Sequence, residues 1–124
     1  MLTVGTGNGT VNVLGGWRAD PFIIVEGLFD ALSLAACGWG CIATIGRWPS
    51  WLPEVSAGRA VWLAFDATRS AEKDFARYRT LLNTSETRRL PPPPLCKDWN
   101  TALVKRGKIV VTRWLRDHCT RTNS

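Results

Sequence analysis

Two acidic side chains in this 124-residue chain, Glu26 and Asp66, stand where chemistry accounts for them better than packing does, and Asp30 and Asp98 are candidates to join them. Glu26 closes the run Phe22-Ile23-Ile24-Val25, and Asp66 closes Ala60 to Phe65, AVWLAF. Both runs are continuously apolar, as in strands buried on both faces of a parallel sheet. Carboxylates offer hard oxygen donors to Mg²⁺ or Mn²⁺, and such an ion binds and polarises phosphate oxygens. Acids converging from two strand ends are therefore a candidate site for phosphoryl transfer. The structural alternatives are plain: Asp30 as a first-turn partner of a helix dipole, Asp98 as a helix N-cap.

The elements that must position these acids follow from periodicity. Leu28 to Cys37 has the composition of a short buried helix stopped by Gly38, so Glu26 sits where a strand turns into a helix. Ligands of open α/β sheets bind at that edge. Cys41 to Ile45 reads as a second strand ended by Gly46, and the segment 48–59 as one short helix capped by Ser50. Trp48 and Trp51 of that segment either pack under the helix or line a surface. Ala71, Phe75, Tyr78 and Leu82 recur at helical spacing, with Glu72 and Asp74 in the first turn and Arg77 and Arg79 later. Glu86 to Leu90 reads as a polar edge strand, Pro91 to Pro94 as an extended connector, and Thr101 to Lys105 as a short helix. Val4 to Leu14 reads as a hairpin about Asn8-Gly9. Lys108 to Cys119 reads as a strand followed by a helix, without either being settled.

Together these give an α/β chain: a Rossmann-like parallel sheet of about four strands flanked by helices, preceded by a small N-terminal β-hairpin. Right-handed crossovers place the strand ends of Glu26 and Asp66 on one edge, with Asp30 and Asp98 able to join them. The chain divides into 1–20, hairpin and loop; 21–107, core; and 108–124, a basic extension.

The net charge of +6 is unevenly spread. Residues 1–60 hold three basic side chains against four acids, and residues 61–124 hold thirteen against six. A basic half on a chain with an acidic cluster points to a polyanion partner, most simply nucleic acid. The four cysteines, Cys37, Cys41, Cys96 and Cys119, form no CxxC pair and read as buried reduced thiols, with nothing pointing to zinc. No apolar run approaches the roughly 20 residues that span a bilayer, and the start has no signal-peptide pattern, so the reading is cytoplasmic with no membrane partner. Of the seven tryptophans, Trp62 lies in a buried strand, and Trp99, beside Asp98, is the one placed to contact a base or nucleotide.

The series IIVEGLFDAL, then VWLAFDAT, then KDWN resembles the Toprim domain, shared by bacterial-type DNA primases, primase-helicases, type IA and type II topoisomerases, some nucleases and recombination proteins. The resemblance spans Pro21 to Lys105. A strand ending in Glu-Gly is matched by Glu26-Gly27, and a strand ending in Asp-x-Asp by Asp66, with Thr68 answering the second acid. The acid at Asp30 and the segment Lys97-Asp98-Trp99-Asn100 are similar to the primase branch. The resemblance implies a Toprim-like fold, Glu26 as the acid/base group, and Asp30, Asp66, Asp98 and Thr68 around Mg²⁺ or Mn²⁺. Lys97, Lys73, Arg69, Trp99 and Asn100 are the implied contacts to nucleic acid or nucleotide. The implied partners are single-stranded DNA, nucleoside triphosphates and a helicase or other replication protein.

Two positions depart from the pattern. Thr68 and Asn100 bring oxygen donors without negative charge where acids are usual, which lowers the expected metal affinity. The leading expectation is primase-type nucleotidyl transfer. The alternatives are a non-catalytic Toprim module that binds DNA or a replication partner, and a Toprim nuclease. A topoisomerase is disfavoured, because Tyr78, the sole tyrosine, lies on the apolar face of a helix.

Overall fold

The computed structural model describes residues 2–4, 10–45 and 48–120. Six strands form one sheet: β1 (Leu2–Val4), β2 (Val11–Val13), β3 (Phe22–Val25), β4 (Cys41–Ala43), β5 (Ala60–Leu63) and β6 (Glu86–Arg89), in the order β1-β2-β4-β3-β5-β6. The last four are parallel, and β1 and β2 add an antiparallel pair beside β4. The expected hairpin is thus present as a strand pair, while its Asn8-Gly9 turn lies outside the described residues. The polar Glu86–Arg89 strand does take an edge, where its arginines reach solvent.

Every residue of β3 is buried, because helices cover the sheet on both sides. On one side Ile23 and Val25 pack with α1 (Leu28–Ala36), α4 (Trp99–Arg106) and α5 (Lys108–Thr120). On the other side Phe22 and Ile24 pack with α2 (Leu52–Ser56) and α3 (Arg69–Leu81). The alternation follows from the two-residue repeat of a strand. Trp48 and Trp51 are partly buried against this second core, and Trp62 is 5% exposed in the first. All four cysteines are buried and none is in a disulfide. Arg59 fastens the loop after β2 to the start of β5, donating to the carbonyls of Trp17 (2.9 Å) and Ala19 (2.7 Å) while lying over the Phe22 ring.

Two local expectations need correction. Ser50 does not cap α2; Trp51 holds the N-cap position, and no side chain bonds the first turn. Lys108 to Thr120 is one continuous helix with no strand. The β-branched run Ile109-Val110-Val111 resembles a strand, but only Val111 of the three is buried. Val111, Leu115 and Cys119, spaced by four, meet the core as a helix stripe. Gly107, at φ +86, lies between α4 and α5 in a conformation that an L side chain would strain. Among the described residues no helix is long and apolar enough to cross a membrane.

The orientation of α5 is testable by urea unfolding. Leu115→Ala, at a fully buried position, should cost about 2–5 kcal/mol. Ile109→Ala should change stability by no more than about 0.5 kcal/mol. Comparable losses at both positions would contradict the burial of one face.

Candidate active site at the carboxyl edge of the sheet

The chain leaves β3 for its outer neighbour β4, then crosses back past β3 to β5. This reversal opens a crevice at the carboxyl ends of the strands. Glu26 follows β3 directly, and its backbone is held by β4's extension: Thr44 N–H donates to Val25 O (3.0 Å) and Ile45 N–H to Glu26 O (2.9 Å). Asp30, in the first turn of α1, is 9% exposed. Asp66 follows β5, which stays paired with β3 through Ala64 N–H to Ile24 O (2.8 Å).

The segment Lys97-Asp98-Trp99-Asn100 latches these parts together. Ala67 N–H donates to Lys97 O (2.7 Å), tying the loop after Asp66 to the approach to α4. Asp98 caps α4 by accepting from Thr101 N–H (2.7 Å). The Trp99 indole N–H donates to Ala64 O (3.1 Å), and Asn100 N–H donates to the Asp30 carboxylate (3.1 Å). Ser33 Oγ, already bonded to Phe29 O, also reaches Asn100 Oδ1 at 3.4 Å. Asp30 and Asp66 are thereby fixed against each other from three elements.

The acids meet as two pairs. The Glu26 carboxyl lies within hydrogen-bonding reach of Asp74 on α3, and the Asp30 carboxyl within reach of Asp66. Burial pushes Glu26 up to about 7, reinforced by its hydrogen bond to Asp74 and by the charges of Asp74, Asp66 and Asp30. Burial likewise pushes Asp30 up to about 7, reinforced by the hydrogen bond to Asp66 and opposed by the Asn100 N–H; the charges of Asp66 and Asp98 add to the rise. Two carboxyls this close share a proton or need a cation between them. Beneath them Tyr78 is buried, bonded to the Thr44 side chain and packed edge-on against Phe65 and Trp48.

Of the residues the sequence singles out, Glu26, Asp30 and Asp66 converge, with Asp98 close enough for its charge to be felt at Asp30. Asp98 and Thr68 are both helix caps; Thr68 Oγ1 accepts from Ala71 N–H (3.1 Å). Arg69 and Lys73 are exposed on α3, and Lys97 and Asn100 are exposed just before and within α4. Trp99 must be corrected. It is fully buried, with its indole bonded inside, so no face is open for a base or nucleotide. The residue that sequence reasoning missed is Asp74. Its signal was available: Asp74 lies three residues after Ala71 and four before Tyr78, on the apolar stripe of α3.

The donor set is all carboxylate oxygen, which suits Mg²⁺ or Mn²⁺. Among the described residues, however, no three acidic, histidine or cysteine side chains are already gathered as an ion's ligands. The chemistry of the donors fits a divalent cation, and the pairs would have to draw together around it.

The raised carboxyls set a pH dependence. Below about pH 4 both groups are protonated whether the chain is folded or not; from there to about pH 7 the folded chain keeps protons that the unfolded chain releases, so stability falls as pH rises through that window. In metal-free buffer the melting temperature should therefore drop between about pH 5 and pH 7.5. Asp74→Asn and Asp66→Asn should each reduce that drop, since each removes one of the opposed charges. A drop left unchanged by both substitutions would contradict the pairing.

No family model and no curated protein matches the chain. One chain of a solved structure does: bacteriophage T7 lagging-strand DNA polymerase interacting with primase domains of two gp4 subunits bound to an RNA/DNA hybrid and dTTP. The match has a TM-score of 0.53 at 18% identity and covers 74% of this chain and 51% of that one, so this chain spans about half its length. At that identity the likeness is one of fold alone: the chain shares an α/β fold with that neighbour, a gp4 primase domain.

Proposed function

We propose that this chain is a Toprim-type catalytic module of a replication primase, joining nucleotides on a single-stranded DNA template. The observation that carries the reading is the convergence of Glu26, Asp30 and Asp66 from separate elements at the carboxyl edge, in a fold shared with a phage primase domain. In the reaction a primer hydroxyl oxygen attacks the α-phosphorus of a nucleoside triphosphate, the bond to pyrophosphate breaks, and the hydroxyl proton must be taken up. Glu26 is suited to take it, because a carboxyl near 7 is close to the working pH and can later release the proton. Asp30 and Asp66, with Asp74 and Asp98 behind them, would hold Mg²⁺ or Mn²⁺. Such an ion supplies charge stabilisation at the phosphate oxygens. Arg69, Lys73 and Lys97 are exposed on the segments that flank the edge, where cations would hold triphosphate or template phosphates. A helicase or another replication protein would deliver the template.

A second reading has one observation in its favour. Thr68, two residues after Asp66, uses its hydroxyl to cap α3 and brings no negative charge, as in a module that binds DNA or a replication partner without catalysis.

Labelled triphosphates, single-stranded DNA and Mg²⁺ test the proposal. The parent chain should make short products, and Glu26→Gln should lower kcat by about 10²–10⁴-fold while template binding persists. Asp66→Asn should raise the Mg²⁺ concentration needed for half-maximal rate. Template binding without synthesis in the parent would favour the binding module, and cleavage of the template would favour a nuclease.

A further inference from the structure

The acidic edge does not account for the charge of the C-terminal helices. Between Lys105 and Arg116 the chain carries five cations (Lys105, Arg106, Lys108, Arg113 and Arg116) and no acid, nearly the whole of its net +6. Three of them reach an open groove of about 440 Å³ along α5, lined by Lys108, Ile109, Thr112, Arg113 and Arg116. Lys108, Thr112 and Arg116 succeed one another at four-residue intervals, a rise of about 6 Å each, with Ile109 and Arg113 one residue behind the first two. Among the described residues neither Lys108 nor Arg113 forms an ion pair, although Asp117 is one turn beyond Arg113.

We infer that this groove binds the sugar–phosphate backbone of a single-stranded nucleic acid, as a second contact surface separate from the residues at the acidic edge. The charge is complementary to a phosphate backbone. The regular rise matches side chains to successive phosphates of an extended strand, the Thr112 hydroxyl adds a neutral donor, and Ile109, 76% exposed, offers an apolar contact to a sugar or base. An anionic membrane is the less fitting partner. A helix that binds a bilayer buries an apolar face in it, and the apolar face of α5 is already occupied: Val111, Leu115 and Cys119 lie in the core.

The test uses the full chain in EDTA, with a dye-labelled single-stranded DNA of about twenty nucleotides, the matching RNA, and phosphatidylserine vesicles. Fluorescence anisotropy across a salt series reads affinity and its salt slope. Lys108→Glu with Arg113→Glu should weaken oligonucleotide binding at least tenfold at low salt. It should also reduce the log–log salt slope by about 1.4, the loss of two phosphate contacts on a single strand. The milder pair Lys108→Gln with Arg113→Gln should move both quantities in the same direction with circular dichroism and melting temperature unchanged, which keeps the test valid if the glutamates unfold α5. The response of tryptophan fluorescence to Mg²⁺ should be the same in parent and glutamine variant, so a failure here is distinguishable from a failure at the acidic edge. Affinity and slope within twofold of the parent in the glutamine variant would overturn the inference. So would a parent chain that binds no oligonucleotide at low salt, or one that prefers the vesicles to both oligonucleotides.

Discussion

Carboxyl groups brought together at the end of two neighbouring strands repel one another, and burial removes much of the water that would screen them. This opposition is the constraint around which the rest of the fold is arranged. Glu26 faces Asp74 and Asp30 faces Asp66, and the protein holds both pairs in place with backbone hydrogen bonds from three directions. The helix α4 is central to that arrangement. Its first residue, Trp99, plugs the core and grips the end of β5, its cap Asp98 fixes its entry, and Asn100 gives its N–H to Asp30. A segment whose composition suggests ligand contact is therefore chiefly a brace for the acids. Such like-charge contacts oppose folding at neutral pH, and a cation or a shared proton would relieve them.

Much of this was legible in the residues. The unbroken apolar runs at 22–25 and 60–65 dictated buried parallel strands, and the acid after each one dictated a shared edge once right-handed crossovers were assumed. Asp30 was legible as a participant because it falls one turn into the helix that Glu26 opens. Asp74 is hard to single out in the sequence because an acid near a helix start has an ordinary explanation in the dipole. Trp99 misleads for the opposite reason. Its neighbours Lys97, Asp98 and Asn100 are polar, and a one-dimensional reading cannot show that the side chain between them turns inward to Ala64. The α5 helix was obscured by three consecutive β-branched residues, whose strand propensity was overridden by a four-residue repeat reaching the core.

The charge asymmetry also acquires a structural meaning. Arg59 is occupied with loop carbonyls, and Arg88 and Arg89 pair with Glu86 and Glu72 around the edge strand. The basic residues at the start of β5 and in β6 thus serve the fold. Arg69 and Lys73 on α3, Lys97 before α4, and Lys108 and Arg113 on α5 are exposed, and these are the cations proposed to meet phosphates. The α5 cations Lys108 and Arg113 lie on an element that carries none of the site acids, which lets them be altered without disturbing the acidic edge.

The most direct measurement is the number of protons released when Mg²⁺ is added to the chain near pH 7, obtained by titration calorimetry in buffers of different ionisation enthalpy. Carboxyls that share protons must give them up to become ligands. Saturable binding with release of a fraction of a proton or more, abolished by Asp66→Asn together with Asp74→Asn, is the result the account predicts. Binding without proton release, or no binding at millimolar Mg²⁺, would contradict it.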